Sequence, residues 1–303
     1  MRSRFIARLR SIAGISRVPF LLLPLVLVAS GAAAAAYDGS FSWTHTFLAL
    51  LGLIAAHVAV NSLNEASDMQ TGIDLETERT PFSGGSGTLP AGELSVRTAY
   101  LWAFLMVAVA VAVGLHFLAV IGSVLLPILI IGLVSIVAYT HLLSRMGFGE
   151  VLAGLGLGAL PVLGTALVQE GTLGPAAIAV SIPAFLMTFN LLLLNEFPDE
   201  AADRKGGRRN LVLLLGRRGA ARLWALAVLL VPISIVVSAT EGSLPPLALV
   251  ACAPTLLTLS GLRWAFRHPD ARVPIPALAG NVAWNLATNA VLAGMLALSI
   301  LLG

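Results

Sequence analysis

The stretch LNEASD at positions 63–68 returns 131 positions later as LNEFPD at positions 194–199. Each copy lies at the end of a long apolar segment and is followed by a further aspartate, Asp74 in the first copy and Asp203 in the second. A carboxylate near hydrocarbon is costly, roughly 2.5–3.5 kcal/mol at a helix centre on insertion scales. Two acidic clusters at the ends of apolar segments therefore predict a functional site.

The composition of the chain places it in a membrane. Of its 303 residues, 58% are hydrophobic and 11% are charged, and the mean hydropathy is +0.93. A soluble domain carries about 25% charged residues. Apolar runs of roughly 20 residues, the length that crosses a bilayer, recur along the sequence. The sequence therefore predicts an all-α, polytopic membrane protein.

The apolar segments predict a bundle of about nine transmembrane helices. The connections are too short for a separate soluble domain, so residues 1–303 are expected to form a single transmembrane domain. Two longer connections, about 64–97 and 196–220, carry the repeated motif and are expected to form a cap over the bundle. The predicted spans are 18–36, 43–63, 98–115, 118–139, 151–168, 174–195, 221–239, 246–264 and 279–302.

The distribution of basic residues predicts the orientation of the bundle. With the N-terminus inside, all 18 Lys and Arg residues fall on the inner side, and the outer side carries only Asp38, Glu170 and Glu241 as charged residues. Because Lys and Arg are retained on the cytoplasmic side, we expect a cell-membrane protein whose N-terminus and motif connections are cytoplasmic. The pI near 9.6 follows from this topology and gives no reason to expect nucleic-acid binding.

Polar residues form a stripe along the second predicted helix. Spacings of four, three and four positions place the members of the stripe on one helical face. A single polar residue in such a helix usually makes an interhelical hydrogen bond, but a longer stripe that ends in a carboxylate indicates a face towards an internal cavity. The stripe consists of His57, Asn61, Asn64 and Asp68.

The second motif repeats this arrangement at the end of the sixth predicted helix. Asn195, Asp199 and Asp203 are four positions apart and share a face if the helix continues past Pro198, which is expected to kink or restart it. Mg²⁺ prefers oxygen ligands and is usually held by one or two carboxylates plus substrate phosphates. Two facing clusters therefore predict a site for two or more Mg²⁺ ions that bridge a diphosphate leaving group.

Basic residues near the two motifs are candidates for direct contacts with a diphosphate. The same residues would also serve to fix the topology, and both explanations stay open at this point. The candidates are Arg79, Arg145, Lys205, Arg208 and Arg209.

The two motifs resemble those of the UbiA superfamily of intramembrane prenyltransferases, in which aspartate-rich motifs follow the second and sixth of nine helices. The resemblance covers nearly the whole chain. The second copy, with Asn195, Asp199 and Asp203, matches the family pattern N-x-x-x-D-x-x-x-D without a gap.

The first copy departs from this family pattern. Asn64 and Asp68 have the expected spacing, but Asp74 follows six positions later rather than four. This variant is similar to the branch that prenylates 1,4-dihydroxy-2-naphthoate on the way to menaquinone. The stretch RTPFSGGSG at 79–87 and the residues from Asn195 to Leu211 resemble the same branch.

The resemblance implies a reaction and a set of residue roles. An allylic polyprenyl diphosphate, whose tail would enter sideways from the membrane lipid, would ionise to a carbocation. An aromatic acceptor, 1,4-dihydroxy-2-naphthoate in this branch, would attack the cation as diphosphate leaves. The implied Mg²⁺ ligands, all but Asp74 also counted as catalytic, are Asn64, Asp68, Asp74, Asn195, Asp199 and Asp203. The implied diphosphate contacts are Arg79, Arg145, Lys205 and Arg209.

The acceptor pocket is expected to differ from that of many relatives. Relatives often carry Tyr-Thr-x-Pro-Pro before Gly-x-Gly-Glu, whereas this chain reads YTHLLSR at 139–145 and GFGE at 147–150, without either proline. Asn285 belongs to an asparagine stripe on the last helix that is either cavity wall or interhelical hydrogen bonding. The candidate cavity-lining residues are His57, Asn61, Tyr139 and Asn285.

Two other interpretations stay open. The same metal site would serve a glycerol-phosphate lipid, another ring, or the prenyl chain itself in a cyclisation. A small transporter with broken helices would instead place its acidic residues near the bilayer midplane, in an inverted repeat. Both motif helices here are predicted to run in the same direction and to end on the same side, which disfavours the transporter.

Overall fold

The computed structural model describes residues 2–77, 79–141 and 147–302, and within these ranges the chain is helical and contains no strand. The longest non-helical stretch in these ranges is residues 79–95, between the fourth and fifth helices. The α-helices are α1 (Arg2–Ile15), α2 (Leu22–Tyr37), α3 (Trp43–Thr71), α4 (Ile73–Glu76), α5 (Val96–Ile121), α6 (Leu126–His141), α7 (Gly149–Gly154), α8 (Leu160–Glu170), α9 (Pro175–Lys205), α10 (Leu211–Thr240), α11 (Leu259–Arg267) and α12 (Ile275–Leu302).

Eight helical stretches in the described ranges are long and apolar enough to cross a membrane. A further apolar stretch, Ser123–Ile136, is shorter and lies in the fourth predicted span. The predicted all-helical, polytopic fold is therefore confirmed. The eight stretches are Val18–Tyr37, Trp43–Thr71, Val96–Ile121, Gly149–Glu170, Pro175–Lys205, Leu211–Thr240, Pro246–Arg267 and Ile275–Leu302.

The turn between the third and fourth predicted spans, 98–115 and 118–139, lies later than the sequence indicated. α5 continues to Ile121 and ends at Gly122, which adopts a φ of 81°. The apolar run is not broken by a charged residue here, so hydropathy does not mark the turn. Glycine adopts a positive φ at little cost, so the position of Gly122 determines where the turn between the two spans lies.

The first motif lies on a helix rather than in the predicted connection 64–97. α3 continues to Thr71 and ends where Gly72 adopts a φ of 78°. The stripe of His57, Asn61, Asn64 and Asp68 therefore lies on one helix, as its spacing predicts. The predicted end of the span at residue 63 was wrong, because polar residues on an interior helical face lower the hydropathy as a loop does.

The second motif also lies within a helix, because α9 runs through Pro198 to Lys205. The expected restart of the helix at Pro198 does not occur. α10 begins at Leu211, so the predicted connection 196–220 is partly helical. Residues 206–210 separate α9 from α10, and the non-helical backbone of Gly216, with a φ of 68°, separates residues 211–215 from the rest of α10. Asn210 caps α10, since its side chain accepts a hydrogen bond from the backbone N–H of the third helical residue.

The main apolar core lies among α2, α9, α10 and α12. The indole N–H of the buried Trp224 donates to Asn281 at 3.2 Å, and Asn281 donates to the carbonyl of Asn190 at 3.0 Å. Asn285 of the same stripe on α12 donates to the hydroxyl of Thr188 on α9 at 3.3 Å. Two members of the asparagine stripe, Asn281 and Asn285, therefore make interhelical hydrogen bonds.

Glycine allows α12 to approach the neighbouring 3₁₀-helix Pro246–Thr258 closely. A methyl group on Gly280 would collide with the carbonyl oxygen of Leu257. Because this oxygen belongs to the backbone, the collision is relieved only if one helix moves away from the other.

We expect Gly280→Ala to lower the free energy of unfolding by roughly 1–3 kcal/mol, because overpacking forces the two helices apart. Gly294→Ala is the matched control on the same helix, since no heavy atom lies within 4 Å of its added methyl group. The control should be neutral or slightly stabilising, because Ala favours a helix. Thermal unfolding in detergent compares them, and equal midpoints would contradict the close approach.

Candidate active site

A polar cavity of about 90 Å³ lies between the C-terminal ends of α3 and α9. It brings together the two sequence motifs, which are 131 positions apart. Residues 82–85 of the connection before α5 form part of its wall. All six residues predicted to be metal ligands line the cavity: Asn64, Asp68, Asp74, Asn195, Asp199 and Asp203.

One guanidinium group joins the two motifs. Arg208 donates from Nη1 to Oδ1 of Asp203 at 3.2 Å, and its Nη2 pairs with Oδ1 of Asp68. The other carboxylate oxygen of Asp203 accepts a hydrogen bond from Asn210 at 2.9 Å. Burying two carboxylates side by side is expensive unless they are paired and hydrogen-bonded. Arg208 and Asn210 supply this compensation.

Among the six predicted metal ligands that line the polar cavity, three buried oxygen atoms have no hydrogen-bond partner among the described residues. Leaving a buried acceptor unpaired costs about 1–3 kcal/mol, whereas such oxygens are the ligands that a hard divalent cation binds. No three His, Cys, Asp or Glu side chains in the described ranges form a metal-binding group, so amide, substrate or water oxygens would complete the coordination. The three atoms are Asn64 Oδ1, Asp74 Oδ2 and Asp199 Oδ1.

Asp74 reaches the cavity in spite of its unusual spacing from Asp68. The positive φ of Gly72 ends α3 and turns the chain, and α4 then carries Asp74 back to the cavity wall. Burial, followed by the charges of Asp68 and Glu65, raises the pKa of Asp74 to about 7. A side chain at Gly85 would place its Cβ 2.8 Å from the carboxylate, so a glycine is needed opposite Asp74.

The carboxylate of Glu65 on α3 accepts hydrogen bonds from two segments that are distant in the sequence. Its Oε1 accepts hydrogen bonds from Arg17 Nε at 2.9 Å and from the backbone N–H of Ser86 at 2.7 Å. Its Oε2 accepts from the hydroxyl of Ser86 at 2.7 Å. The sequence analysis did not assign a role to Glu65, although its repetition as Glu196 was a signal. The buried carboxylate holds the connection before α5 over the cavity.

The residues predicted to contact a diphosphate lie in different environments in the structure. Arg209 lines the polar cavity. Lys205 instead points to the surface, where it pairs with the exposed Glu76 at 2.6 Å. Arg79 is exposed and lies against Gly87, outside the residues that line the cavity. Arg145 lies outside the described residues.

A much larger apolar cavity, of about 620 Å³, adjoins the polar one. Both cavities are lined by Asn64, Asn195, Phe82 and Arg17, so these residues lie at the junction. Arg17, which the sequence did not single out, contributes a guanidinium there. The predicted cavity residues His57, Asn61 and Asn285 line the apolar cavity, whereas the Tyr139 side chain lies outside the described part of the structure.

The wall of the apolar cavity includes residues of α5 and α6. Leu115 and Ile130, one from each helix, line the cavity and are more than half exposed. The two helices contact each other at Gly114, where an added methyl group would lie 2.9 Å from the side chain of Leu129. The cavity wall formed by these residues is hydrocarbon.

The helix bundle defines an integral membrane protein, and its paired acidic motifs line a buried polar cavity. Residues 22–287 match the UbiA prenyltransferase family. The chain therefore belongs to the UbiA prenyltransferase family, and by family it is a prenyltransferase.

Two curated relatives agree with this assignment. The chain is 28% identical over 210 residues to 1,4-dihydroxy-2-naphthoate octaprenyltransferase of Bacillus subtilis (strain 168), a match that covers 66% of this chain and 64% of that protein. It is 27% identical over 282 residues to the Escherichia coli (strain K12) protein of the same name, covering 88% of this chain and 89% of that one.

The fold is shared with a UbiA homolog from Archaeoglobus fulgidus that was solved bound to GPP and Mg²⁺. The TM-score is 0.67 at 16% sequence identity, and the match covers 94% of this chain and 99% of the homolog. At this identity the likeness establishes the common helical architecture.

We expect Glu65→Gln to release the connection before α5, because it removes the ion pair with Arg17 and weakens both hydrogen bonds from Ser86. Hydrogen exchange of the Ser86 amide, followed by mass spectrometry, should accelerate roughly tenfold or more, since charged hydrogen bonds contribute about 1.5–3 kcal/mol each. Glu93→Gln, at an exposed acid of the same connection, should leave this rate unchanged. Equal protection in all three proteins would contradict the fastening role of Glu65.

Proposed function

We propose that this protein transfers a polyprenyl group from an allylic polyprenyl diphosphate to an aromatic acceptor. The observation that carries the proposal is the junction of the two cavities at Asn64 and Asn195. The polar cavity fits an anionic head group, and the apolar cavity fits a hydrocarbon tail. A polyprenyl diphosphate has both parts in this order, and GPP, which the Archaeoglobus homolog binds, is of this kind.

The donor set of the polar cavity fits Mg²⁺, which the Archaeoglobus homolog also binds. Asp68, Asp199 and Asp203 would be the principal ligands, with Asn64, Asn195 and Asp74 completing the set, for two or more ions in total. When bound, Mg²⁺ supplies Lewis-acid neutralisation of the diphosphate leaving group. The unpaired oxygens of Asn64, Asp74 and Asp199 support this assignment.

The chain's own cations and walls supply the remaining elements of the reaction. Arg208 and Arg209 line the polar cavity and would bind the diphosphate, taking up charge that develops as the allylic C–O bond breaks. The apolar walls would keep water from the resulting carbocation. The ring of the acceptor then attacks the cation, and loss of a proton restores aromaticity.

The names of both curated relatives favour 1,4-dihydroxy-2-naphthoate as the acceptor and an octaprenyl chain as the transferred group. A glycerol-phosphate lipid, another ring, or cyclisation of the prenyl chain would use the same diphosphate site. We place the N-terminus and the polar cavity on the cytoplasmic side, because all Lys and Arg residues then lie inside.

Purified protein in lipid should release diphosphate from octaprenyl diphosphate only with Mg²⁺ and should form a prenylated naphthoate. Asp199→Asn and Asp203→Asn should each lower kcat/KM by about 100-fold or more, because each removes charge at the metal site. Asp270→Asn, at an exposed acid paired with Arg218, is the control and should retain activity. A prenylated product formed only with another acceptor would contradict 1,4-dihydroxy-2-naphthoate as the acceptor, and a cyclic product would indicate a cyclase. Absence of diphosphate release by folded protein would overturn the proposed reaction.

Arg208→Lys keeps the charge but cannot pair with Asp68 and Asp203 in the same forked geometry. We expect the KM for the prenyl diphosphate to rise by about tenfold or more, the effect of losing a charge-assisted hydrogen bond. Arg204→Lys is the control, since Arg204 is exposed and pairs with Glu200 on the helix surface. Initial rates at varied donor concentration test this, and an unchanged KM in Arg208→Lys would exclude Arg208 from the donor site.

A further inference from the structure

A histidine on α3 that lines the apolar cavity has a buried ring nitrogen with no hydrogen-bond partner in the part of the chain that the structure describes. His57 is 5% exposed, and its Nδ1 lies 3.1 Å from the carbonyl oxygen of Leu53. A carbonyl can only accept, so Nδ1 carries the proton of the neutral ring and Nε2 carries a lone pair. This Nε2 is buried, with no hydrogen-bond partner among the described residues, and the side chain lines the apolar cavity.

Asn61 presents a second acceptor in the same cavity, one helical turn from His57. Its amide nitrogen donates to the carbonyl of Ser16 at 3.1 Å, which fixes the amide orientation because that carbonyl cannot donate. The amide oxygen of Asn61 receives no hydrogen bond from the described residues. Residues four apart lie on one helical face, about 6 Å from each other along the axis.

Two acceptors of this kind select a ligand that donates two hydrogen bonds. A hydrocarbon tail donates none, and a quinone carries only acceptors. A hydroquinone carries two hydroxyl groups at opposite positions of one ring, and their separation is comparable to the rise between His57 and Asn61. The cavity around them is lined mainly by apolar side chains, which suit the faces of an aromatic ring.

We propose that His57 and Asn61 bind the two hydroxyl groups of the acceptor ring, and that this pair selects the hydroquinone form of the acceptor. The inference deepens the proposed function and rests on it. Both residues act by binding and positioning the ring, with His57 Nε2 and Asn61 Oδ1 each accepting one O–H hydrogen bond.

The position along α3 is suitable for the reaction. Asn64, which lines both cavities, follows Asn61 by three positions and His57 by seven, roughly 10 Å along the axis. A ring held by His57 and Asn61 therefore lies beside the junction, where the allylic carbon of a prenyl diphosphate would emerge from the polar cavity.

Equilibrium binding to the full-length protein in lipid nanodiscs tests the pair directly, under reducing conditions. The probes are 1,4-dihydroxy-2-naphthoate and 2-naphthoate, which keeps the ring and carboxylate but lacks both hydroxyl groups. The wild-type protein should prefer the dihydroxy compound, and His57→Leu should reduce this preference roughly five- to tenfold, about the contribution of one hydrogen bond. Binding of 2-naphthoate should not change.

Two further variants separate recognition from a structural effect. His57→Gln retains an acceptor oxygen and should recover part of the preference. His116→Leu changes an exposed histidine on α5 and should behave like the wild type. A wild-type protein without preference for the dihydroxy compound, or a His57→Leu protein with the full preference, would overturn the proposal.

Kinetics distinguishes failure of this site from failure of the proposed function. In His57→Leu the KM for the acceptor should rise, while the KM for the prenyl diphosphate stays the same. If His57→Leu transfers the prenyl group as efficiently as the wild-type protein, the proposed hydroxyl site is wrong, whereas the proposed reaction is unaffected. Wild-type protein that binds the dihydroxy compound through His57 but transfers no prenyl group would overturn the reaction and leave the hydroxyl site standing.

Discussion

Two carboxylates that share one guanidinium hold the site together. Asp68 and Asp203 come from helices far apart in the sequence, and Arg208 pairs with both. The same Asp203 binds Asn210, which caps α10. The positions of the two acidic motifs and the start of α10 are therefore set by one connected group of polar contacts. Because buried charges must be compensated locally, this group allows the ends of apolar helices to carry acids.

Glu65 is a further buried carboxylate that is compensated locally, beside the connection that covers the polar cavity. Its carboxylate is compensated by Arg17 from the N-terminal segment and by Ser86 from the connection before α5. Each motif thus uses its acids both to form the cavity and to fix the segments that surround it. The apolar cavity needs no such network, since its walls are mostly hydrocarbon, and the two chemical environments meet at Asn64 and Asn195.

The helical fold and five of the six predicted cavity residues follow from the sequence, because apolar length and a spacing of about 3.6 residues determine which side chains share a face. Asp74 was predicted from the resemblance of the motif alone. Among the basic residues, the sequence could not distinguish Lys205, which faces solvent, from Arg208, which faces the cavity. Their directions depend on where α9 ends and on the cap of α10. Asp74 reaches the cavity because the backbone of Gly72 turns the chain, and Glu65 acts through contacts with segments distant in the sequence. The periodicity of the sequence encodes neither of these features.

If a donor enters beside α5 and α6, whose Leu115 and Ile130 line the apolar cavity, the cavity exchanges with the bilayer rather than with water. For a donor that resides in the membrane, the quantity that governs loading is then its mole fraction among the lipids, not its molarity in the suspension. Adding inert lipid at a constant volume dilutes the donor in two dimensions. Under the proposed function, an amphiphile that loses its diphosphate would also lose its contacts in the polar cavity, and the product would return to the same two-dimensional phase without crossing an aqueous layer.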